Sequence, residues 1–189
     1  MTRSAHQTTL TLEAFLEFEL NAPEKHEFVD GQIYAMAGAS ERHNLIVGNL
    51  YAALRAGARA VASKCRAMTS DMKVVIEADP RVSYYPDVVV VCDETDDDPY
   101  IKRKPCLIVE VLSESTQRID QSEKKINYQR LESLNTYLIV HQDKRRIEVH
   151  HRLEQGWVSS SLEDAAEVAL ECPNMVLELE DVYESVGLG

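Results

Sequence analysis

Two stretches of the chain are apolar at every position instead of at alternate positions, and these are Val88–Val91 and Leu107–Val109. A strand with one wetted face alternates apolar and polar side chains, whereas an unbroken apolar run is typical of a strand covered on both faces. A polar helix predicted at 119–131 separates the second run from a strand predicted at 136–141. This spacing is typical of a crossover between parallel strands.

The other segments complete an α/β domain with a mixed central β-sheet, helices on its faces and hairpins at its edges. Arg145–Arg152 follows a short turn and predicts an antiparallel partner for strand 136–141. Further strands are expected at 72–76, 84–92 and 106–112 and around Trp157 and Val176, with a last short helix near Asp181.

Two helices are predicted from their N-caps. Thr11 precedes an amphipathic helix that reaches Leu20, and Ser40 precedes a longer helix over 41–60. His43 lies one turn before the apolar stripe of the second helix, so its ring is expected to point toward the protein interior.

The length of 189 residues predicts one domain over 1–189, with its core at about 10–185. The net charge of −12 argues against a protein that coats nucleic acid, because such a protein needs a basic surface. An enzyme that handles nucleic acid through a local basic rim and a metal ion is compatible with this charge. No apolar run is long enough to span a bilayer, and no secretory signal is evident, so a cytoplasmic protein without membrane contact is expected.

The four cysteines, at 65, 92, 106 and 172, show neither zinc-knuckle nor CxxC spacing. We interpret them as small buried apolar residues. Their thiols are expected to be reduced, as is usual in the cytoplasm.

Two carboxylates interrupt the apolar strands. Asp87 follows Pro86 at the start of one apolar run, and Glu110 lies inside the other. A buried carboxylate without a partner costs several kcal/mol. Two of them on adjacent strands can share a divalent cation, whose charge offsets their repulsion. The alternative is that each pairs separately with a basic side chain.

The motifs around Asp87 and Glu110 also resemble those of a known protein family. Pro86–Asp87 followed by Glu110-Val111-Leu112 resembles the proline-aspartate and acid-x-lysine pattern of the PD-(D/E)XK nuclease superfamily. The wider ordered set resembles a large bacterial family of "putative restriction endonuclease" domains within it. The motifs of that set are Glu27-Phe28-Val29-Asp30-Gly31, Arg42-His43-Asn44, Tyr85-Pro86-Asp87-Val88-Val89-Val90, Val109-Glu110-Val111-Leu112-Ser113-x-Ser115-Thr116 and Asp120-x-x-x-Lys124-x-x-x-Tyr128.

The resemblance implies a restriction-endonuclease-like fold and a metal-dependent endonuclease that hydrolyses phosphodiester bonds of DNA. It implies that Asp87 and Glu110 hold Mg²⁺, which Mn²⁺ can replace, and that the backbone carbonyl of Val111 is a further ligand. A metal-activated water would then attack the phosphate.

One position departs from the superfamily pattern. The lysine that usually follows the second acid by two residues is replaced by Leu112. In this branch the lysine is implied to come from the next helix, as Lys124. Asp120, Lys124 and Tyr128 are spaced by four residues and share one helix face. The alternative for Lys124 is a solvated lysine that pairs with Asp120.

Two further residues are secondary candidates. Asp30–Gly31 predicts a tight hairpin turn that brings Glu27 opposite Tyr34, and Glu27 is either a third carboxylate of the site or an ordinary edge residue. His43 either contacts the scissile phosphate, orients Glu27, or is a satisfied core histidine.

The sequence leaves three functions open. The first is the DNA endonuclease. The second is a catalytically inactive nuclease-fold module that binds nucleic acid or regulates, favoured by Leu112, by the negative charge and by Glu114, which stands where relatives usually carry proline. The third is a hydrolase of another phosphate ester. Cleavage of both DNA strands would indicate a homodimer, for which the hairpin at 136–152 is a candidate interface.

Overall fold

The computed structural model of the chain describes residues 10–78, 81–112, 120–164 and 166–188. Its elements, in chain order, are α1 (Leu12–Glu19), β1 (His26–Val29), β2 (Gln32–Ala35), α2 (Glu41–Ala60), β3 (Arg66–Thr69), β4 (Lys73–Ile76), β5 (Val82–Tyr84), β6 (Val88–Val91), β7 (Ile101–Lys102), β8 (Leu107–Leu112), a π-helical turn (Asp120–Lys124) that continues into α3 (Lys125–Tyr128), β9 (Thr136–His141), β10 (Arg146–Leu153), β11 (Gly156–Glu163), β12 (Glu167–Glu171), β13 (Asn174–Glu178) and α4 (Leu179–Val182). None of the helices within these ranges is long and apolar enough to cross a membrane.

The central sheet has six strands in the order β11-β10-β9-β8-β6-β3. The β8–β9 pair is parallel and every other pair is antiparallel. All side chains of β6, β8 and β9 are buried, because α2 covers one face and a cluster of aromatic and aliphatic residues covers the other. The predicted α/β fold with a mixed central sheet and a parallel crossover is therefore confirmed.

A second sheet of five strands, in the order β2-β1-β5-β4-β7, contains the predicted N-terminal hairpin. Glu27 pairs with Tyr34 across this hairpin, and its turn residues Asp30 and Gly31 have φ values of 45° and 82°. Two positive φ values in succession are what a type I′ turn requires. The hairpin prediction is confirmed, and it places Glu27 in a different sheet from Glu110.

Both helix caps are confirmed as well. The Thr11 hydroxyl accepts the N–H of Ala14, and the Ser40 hydroxyl accepts the N–H of His43. Each cap satisfies a backbone donor that the first helical turn cannot.

Two predicted element boundaries are wrong. The expected strand 84–92 is two strands in two different sheets, because Pro86 has no N–H to donate and cannot continue a ladder. The expected helix 119–131 ends early, at Tyr128; its described part starts with the π-helical turn at Asp120, and Ile119 lies outside the described residues.

The hairpin at 136–152 is also not at a sheet edge. β9 and β10 are interior strands, and β11 and β3 are the edges of the six-stranded sheet. The third strand of this meander, β11, covers the hairpin that the sequence placed at the surface. A homodimer that pairs through this sheet would therefore use β11 or β3.

The cysteines lie in or against the apolar core, as interpreted, but the expectation of reduced thiols is not what the structure shows. The sulfur atoms of Cys65 and Cys92 are in covalent contact, as are those of Cys106 and Cys172. All four lie in one group, because Cys92 Sγ is also 3.3 Å from Cys106 Sγ and 3.1 Å from Cys172 Sγ. The spacing along the chain gave no sign of this because the four belong to separate segments.

His150 predicts a loss of stability in acid. Its side chain stacks on Tyr137, its Nδ1 is 2.6 Å from Ser159 Oγ, and its Nε2 is buried with no hydrogen-bond partner among the described residues. Burial, reinforced by Lys125, lowers the pKa of His150 from 6.5 to about 4. The unfolded chain therefore binds more protons than the folded chain between these pH values, and stability falls as pH drops through this window.

The expected contribution is a loss of about 3 kcal/mol by pH 4. Urea unfolding from pH 8 to pH 4 measures it, with the His150→Gln variant as the comparison. The variant is expected to have a shallower slope between pH 6.5 and pH 4 and no slope difference near pH 8, where both imidazoles are neutral. Parallel slopes for the two proteins would contradict the account.

Candidate active site

Asp87 and Glu110 stand opposite each other on neighbouring antiparallel strands. The ladder pairs Val88 with Val109, and one further step sets Asp87, which directly precedes β6, opposite Glu110 in β8. Asp87 Oδ2 also accepts the backbone N–H of Val111 at 2.7 Å. The two acids predicted to share a metal are therefore connected through the backbone of β8.

Glu110 is 3% exposed and is held by two residues of the following helical segment. The Tyr128 hydroxyl donates to Glu110 Oε1 at 2.8 Å, and Lys124 Nζ donates to the same oxygen at 3.2 Å. The sequence placed Lys124 and Tyr128 on one helix face, and the structure brings both side chains to Glu110.

Lys124 also contacts a second carboxylate. Its Nζ lies 2.8 Å from Glu27 Oε1, so the ammonium bridges the five-stranded and six-stranded sheets. Lys124 is 4% exposed, which argues against the alternative of a solvated lysine. The side chain of Asp120, its proposed partner in that alternative, lies outside the described residues.

Three residues beside Lys124 were missed by the sequence reasoning. The Lys124 ammonium lies 5.4 Å from the centre of the Tyr84 ring, close enough for a cation–π interaction. The Tyr84 hydroxyl accepts from Asn127 Nδ2 at 2.7 Å and donates to Glu123 Oε1 at 3.1 Å. These contacts join a strand of one sheet to the helical segment, and no short motif in the sequence signals them.

Burial keeps the tyrosines of the site protonated. Loss of solvent around the hydroxyl, helped by the neighbouring Glu110, raises the pKa of Tyr128 well above its usual range. Burial raises the pKa of Tyr84 in the same direction. Both hydroxyls therefore remain hydrogen-bond donors throughout the physiological pH range.

His43 contacts Asp87 and not Glu27. Its Nε2 is 2.9 Å from Asp87 Oδ1, and its side chain is 12% exposed, as the inward position on α2 predicted. Its Nδ1 is buried with no hydrogen-bond partner among the described residues. The structure therefore makes His43 a partner of the first acid, and the expectation that it orients Glu27 is not what the contacts show.

The position of the missing lysine is apolar. Leu112 is 4% exposed and packs in the cluster that contains Tyr128 and Tyr137. Ser113 and Glu114, which follow it, lie outside the described residues. Among the described residues, the lysine that contacts Glu110 is therefore Lys124.

The donor set fits a hard divalent cation. Glu27, Asp87 and Glu110 offer carboxylate oxygens, the ligands that Mg²⁺ prefers. Three carboxylates and one ammonium leave two excess negative charges when His43 is neutral, which a divalent cation would offset. Glu27 Oε1 is also buried with no hydrogen bond, although it contacts the Lys124 ammonium. Among the described residues no three carboxylates converge closely enough to enclose an ion alone, and Mg²⁺ sites commonly use one or two carboxylates plus water and phosphate oxygens.

Comparison with solved structures supports the fold. A crystal structure described as a putative nuclease of DUF820 from Anabaena variabilis superposes with a TM-score of 0.75. The match covers 94% of this chain and 99% of that chain at 15% sequence identity. At this identity the likeness establishes a shared architecture.

Sequence comparison extends the likeness to two proteins of Synechocystis sp. One, named uncharacterized protein slr1290, is 31% identical over 185 residues, which is 97% of this chain and 96% of the relative. The other, uncharacterized protein sll1609, is 34% identical over 159 residues, which is 81% of this chain and 87% of the relative.

The family match covers most of the chain. The sequence model of the Uma2 family, described as "putative restriction endonuclease", matches residues 12–180. That range includes the hairpin with Glu27, the strands with Asp87 and Glu110, and the helical segment with Lys124. The chain is therefore a member of the Uma2 family of putative restriction endonucleases.

Proposed function

We propose that the protein is a metal-dependent endonuclease that hydrolyses phosphodiester bonds of DNA with Mg²⁺, which Mn²⁺ can replace. The observation that carries this proposal is the juxtaposition of Asp87 and Glu110 across β6 and β8 with the Lys124 ammonium on Glu110. Paired carboxylates with an adjacent cationic donor are suited to phosphoryl chemistry, in which both the attacking water and the developing charge need stabilisation.

Asp87 and Glu110 would hold the ion, with the backbone carbonyl of Val111 as a third ligand and Glu27 in support. When bound, the cation neutralises the phosphate charge and lowers the pKa of a coordinated water. Each carboxylate is oriented by the protein. His43 and the Val111 N–H fix Asp87, and Tyr128 fixes Glu110.

Lys124 would orient the attacking water and stabilise negative charge on the phosphate as the bond to the leaving oxygen breaks. Its ammonium lies between Glu27 and Glu110, which supports this proposal because the role would need no change of fold. The buried surroundings strengthen this electrostatic effect, because fewer water molecules screen the charge.

The test is nicking of supercoiled plasmid and cleavage of single-stranded DNA with Mg²⁺ or Mn²⁺. Wild-type protein is compared with Asp87→Asn, which keeps the size of the side chain and removes its charge. Asp97→Asn is the matched control, because Asp97 is exposed in the loop beyond the other end of β6. We expect metal-dependent cleavage in wild type and Asp97→Asn and a loss of about 100-fold or more in Asp87→Asn.

The same experiment addresses the inactive nuclease-fold module, the second candidate function. The observation that favours it is the apolar packing of Leu112 where the superfamily has a lysine. Equal cleavage by Asp87→Asn and wild type would contradict the endonuclease proposal. Absence of cleavage by wild type, with no Mg²⁺-dependent gain in thermal stability, would favour the module, because an ion bound only by the folded state must stabilise it.

Double-strand cleavage would need two such sites, so we further propose a homodimer as the form that cuts duplex DNA. Light scattering in the presence and absence of a DNA duplex tests this assembly. A monomer in both conditions that still cuts both strands would contradict it.

A further inference from the structure

A second group of chemically reactive side chains lies at the opposite end of β6 from the acids. Asp87 directly precedes this strand and Cys92 directly follows it. At about 3.4 Å per residue, the five-residue separation is about 17 Å. Any ligand of the cysteine group would therefore be separate from the ion proposed at Asp87 and Glu110.

Four chain segments bring the cysteines together. Cys65 precedes β3, Cys92 follows β6 and Cys106 precedes β8, and these strands are neighbours in the six-stranded sheet. Cys172 follows β12 and comes from the separate β12–β13 hairpin. Continuation of the β3–β6 register sets Cys65 opposite Cys92.

The four sulfur atoms form one compact group and not two isolated pairs. Besides the contacts within the pairs Cys65–Cys92 and Cys106–Cys172, Cys92 Sγ is 3.1 Å from Cys172 Sγ and 3.3 Å from Cys106 Sγ. The sulfurs of Cys65, Cys92 and Cys172 are all mutually close enough to bind one metal ion, and Cys106 joins these three through its contacts with Cys92 and Cys172. Two disulfides would need only the contacts within each pair, whereas a single tetrahedral ion requires all four sulfurs around one point.

We propose that in the reduced protein Cys65, Cys92, Cys106 and Cys172 bind one Zn²⁺ as a structural centre. Each thiol gives up its proton, and each thiolate donates an electron pair to the metal. With Zn–S distances of about 2.3 Å, the sulfurs of a tetrahedral site lie about 3.8 Å apart. The cross-pair contacts of 3.1 and 3.3 Å place Cys92 near this spacing from both Cys172 and Cys106, so a small movement of Cys106 toward Cys65 would complete the arrangement.

Zinc is the metal that this ligand set favours. Thiolates are soft ligands, and four of them in a closed, partly buried site are typical of structural zinc. Cys106 and Cys172 are 8% and 7% exposed, so no open position for a substrate is evident among the described residues. The centre would fasten the β12–β13 hairpin to three strands of the central sheet.

The test is the metal content of the full chain, purified with a phosphine reductant and without chelator. We expect one zinc ion per chain, measured by inductively coupled plasma mass spectrometry. We also expect four thiols that react with a disulfide reagent only after a chelator is added. The Cys172→Ser variant should lose the zinc, and Asp87→Asn, which alters only the acid site, should retain it.

Cobalt substitution of the wild-type chain gives an independent readout if Cys172→Ser fails to fold. A tetrahedral cobalt thiolate spectrum, with strong visible absorption, would support the proposal. Substoichiometric zinc in the reduced protein, four thiols that react at once, an iron–sulfur chromophore, or zinc retained by folded Cys172→Ser would overturn it.

Discussion

Replacement of Lys124 with methionine is expected to destabilise the protein by about 3–5 kcal/mol, the usual cost of breaking a buried ion pair by removal of one partner. Methionine fills most of the same volume but leaves Glu27 and Glu110 facing each other without the ammonium that now separates them. The loss arises from two carboxylates left in a site with little water. Urea unfolding of wild type and variant in metal-free buffer measures it.

Lys125→Met is the matched control, because Lys125 is the next residue and forms no ion pair with the described residues. The variant Glu27→Gln completes a double-mutant cycle. The combined change Glu27→Gln with Lys124→Met is expected to cost less than the sum of the two single changes by about 1 kcal/mol or more. Additive costs, or a Lys124→Met cost equal to that of Lys125→Met, would contradict the bridging role.

The charge of Glu110 is expected to dominate activity. Glu110→Gln keeps the side-chain volume and an oxygen that can accept from Tyr128, but it removes the negative charge that would hold the ion. Under the proposed function, single-turnover nicking of plasmid should fall by about 100- to 1,000-fold. Stabilisation of the fold by Mg²⁺, measured as a shift in Tm, should be lost as well.

Tyr128→Phe separates the charge of Glu110 from its orientation. This variant keeps the aromatic packing and the carboxylate and removes only the hydroxyl that donates to Glu110. A smaller loss of cleavage, with the Mg²⁺-induced Tm shift retained, is expected. Cleavage by Glu110→Gln within about tenfold of wild type would mean that the ion is held elsewhere.

The parts of the fold that could be predicted from the sequence are those that depend on residues close together in the chain. The N-caps Thr11 and Ser40 and the turn Asp30–Gly31 act within a few residues, and each appears where expected. The unbroken apolar runs identified the buried strands because burial on both faces demands such runs.

The features that the sequence did not predict depend on contacts between distant segments. The Tyr84 ring, in the five-stranded sheet, reaches Lys124 in the helical segment, and the cysteine group gathers four segments that are up to 107 positions apart along the chain, from Cys65 to Cys172. The separation of β5 from β6 at Pro86 could have been inferred from the missing N–H of proline. The apolar residues on both sides of Pro86 instead favoured one continuous strand.

The acids of the candidate site are carried by different sheets, Glu27 by the five-stranded one and Asp87 and Glu110 beside or within the six-stranded one. The sheets are held together by apolar packing that includes Tyr84, Ile108 and Tyr137. The distance between Glu27 and the other two carboxylates therefore depends on how the two sheets pack against each other, and not on the conformation of any one loop. Substitutions far from the site that change this packing would therefore change the affinity for the proposed cation, although every acidic residue is retained.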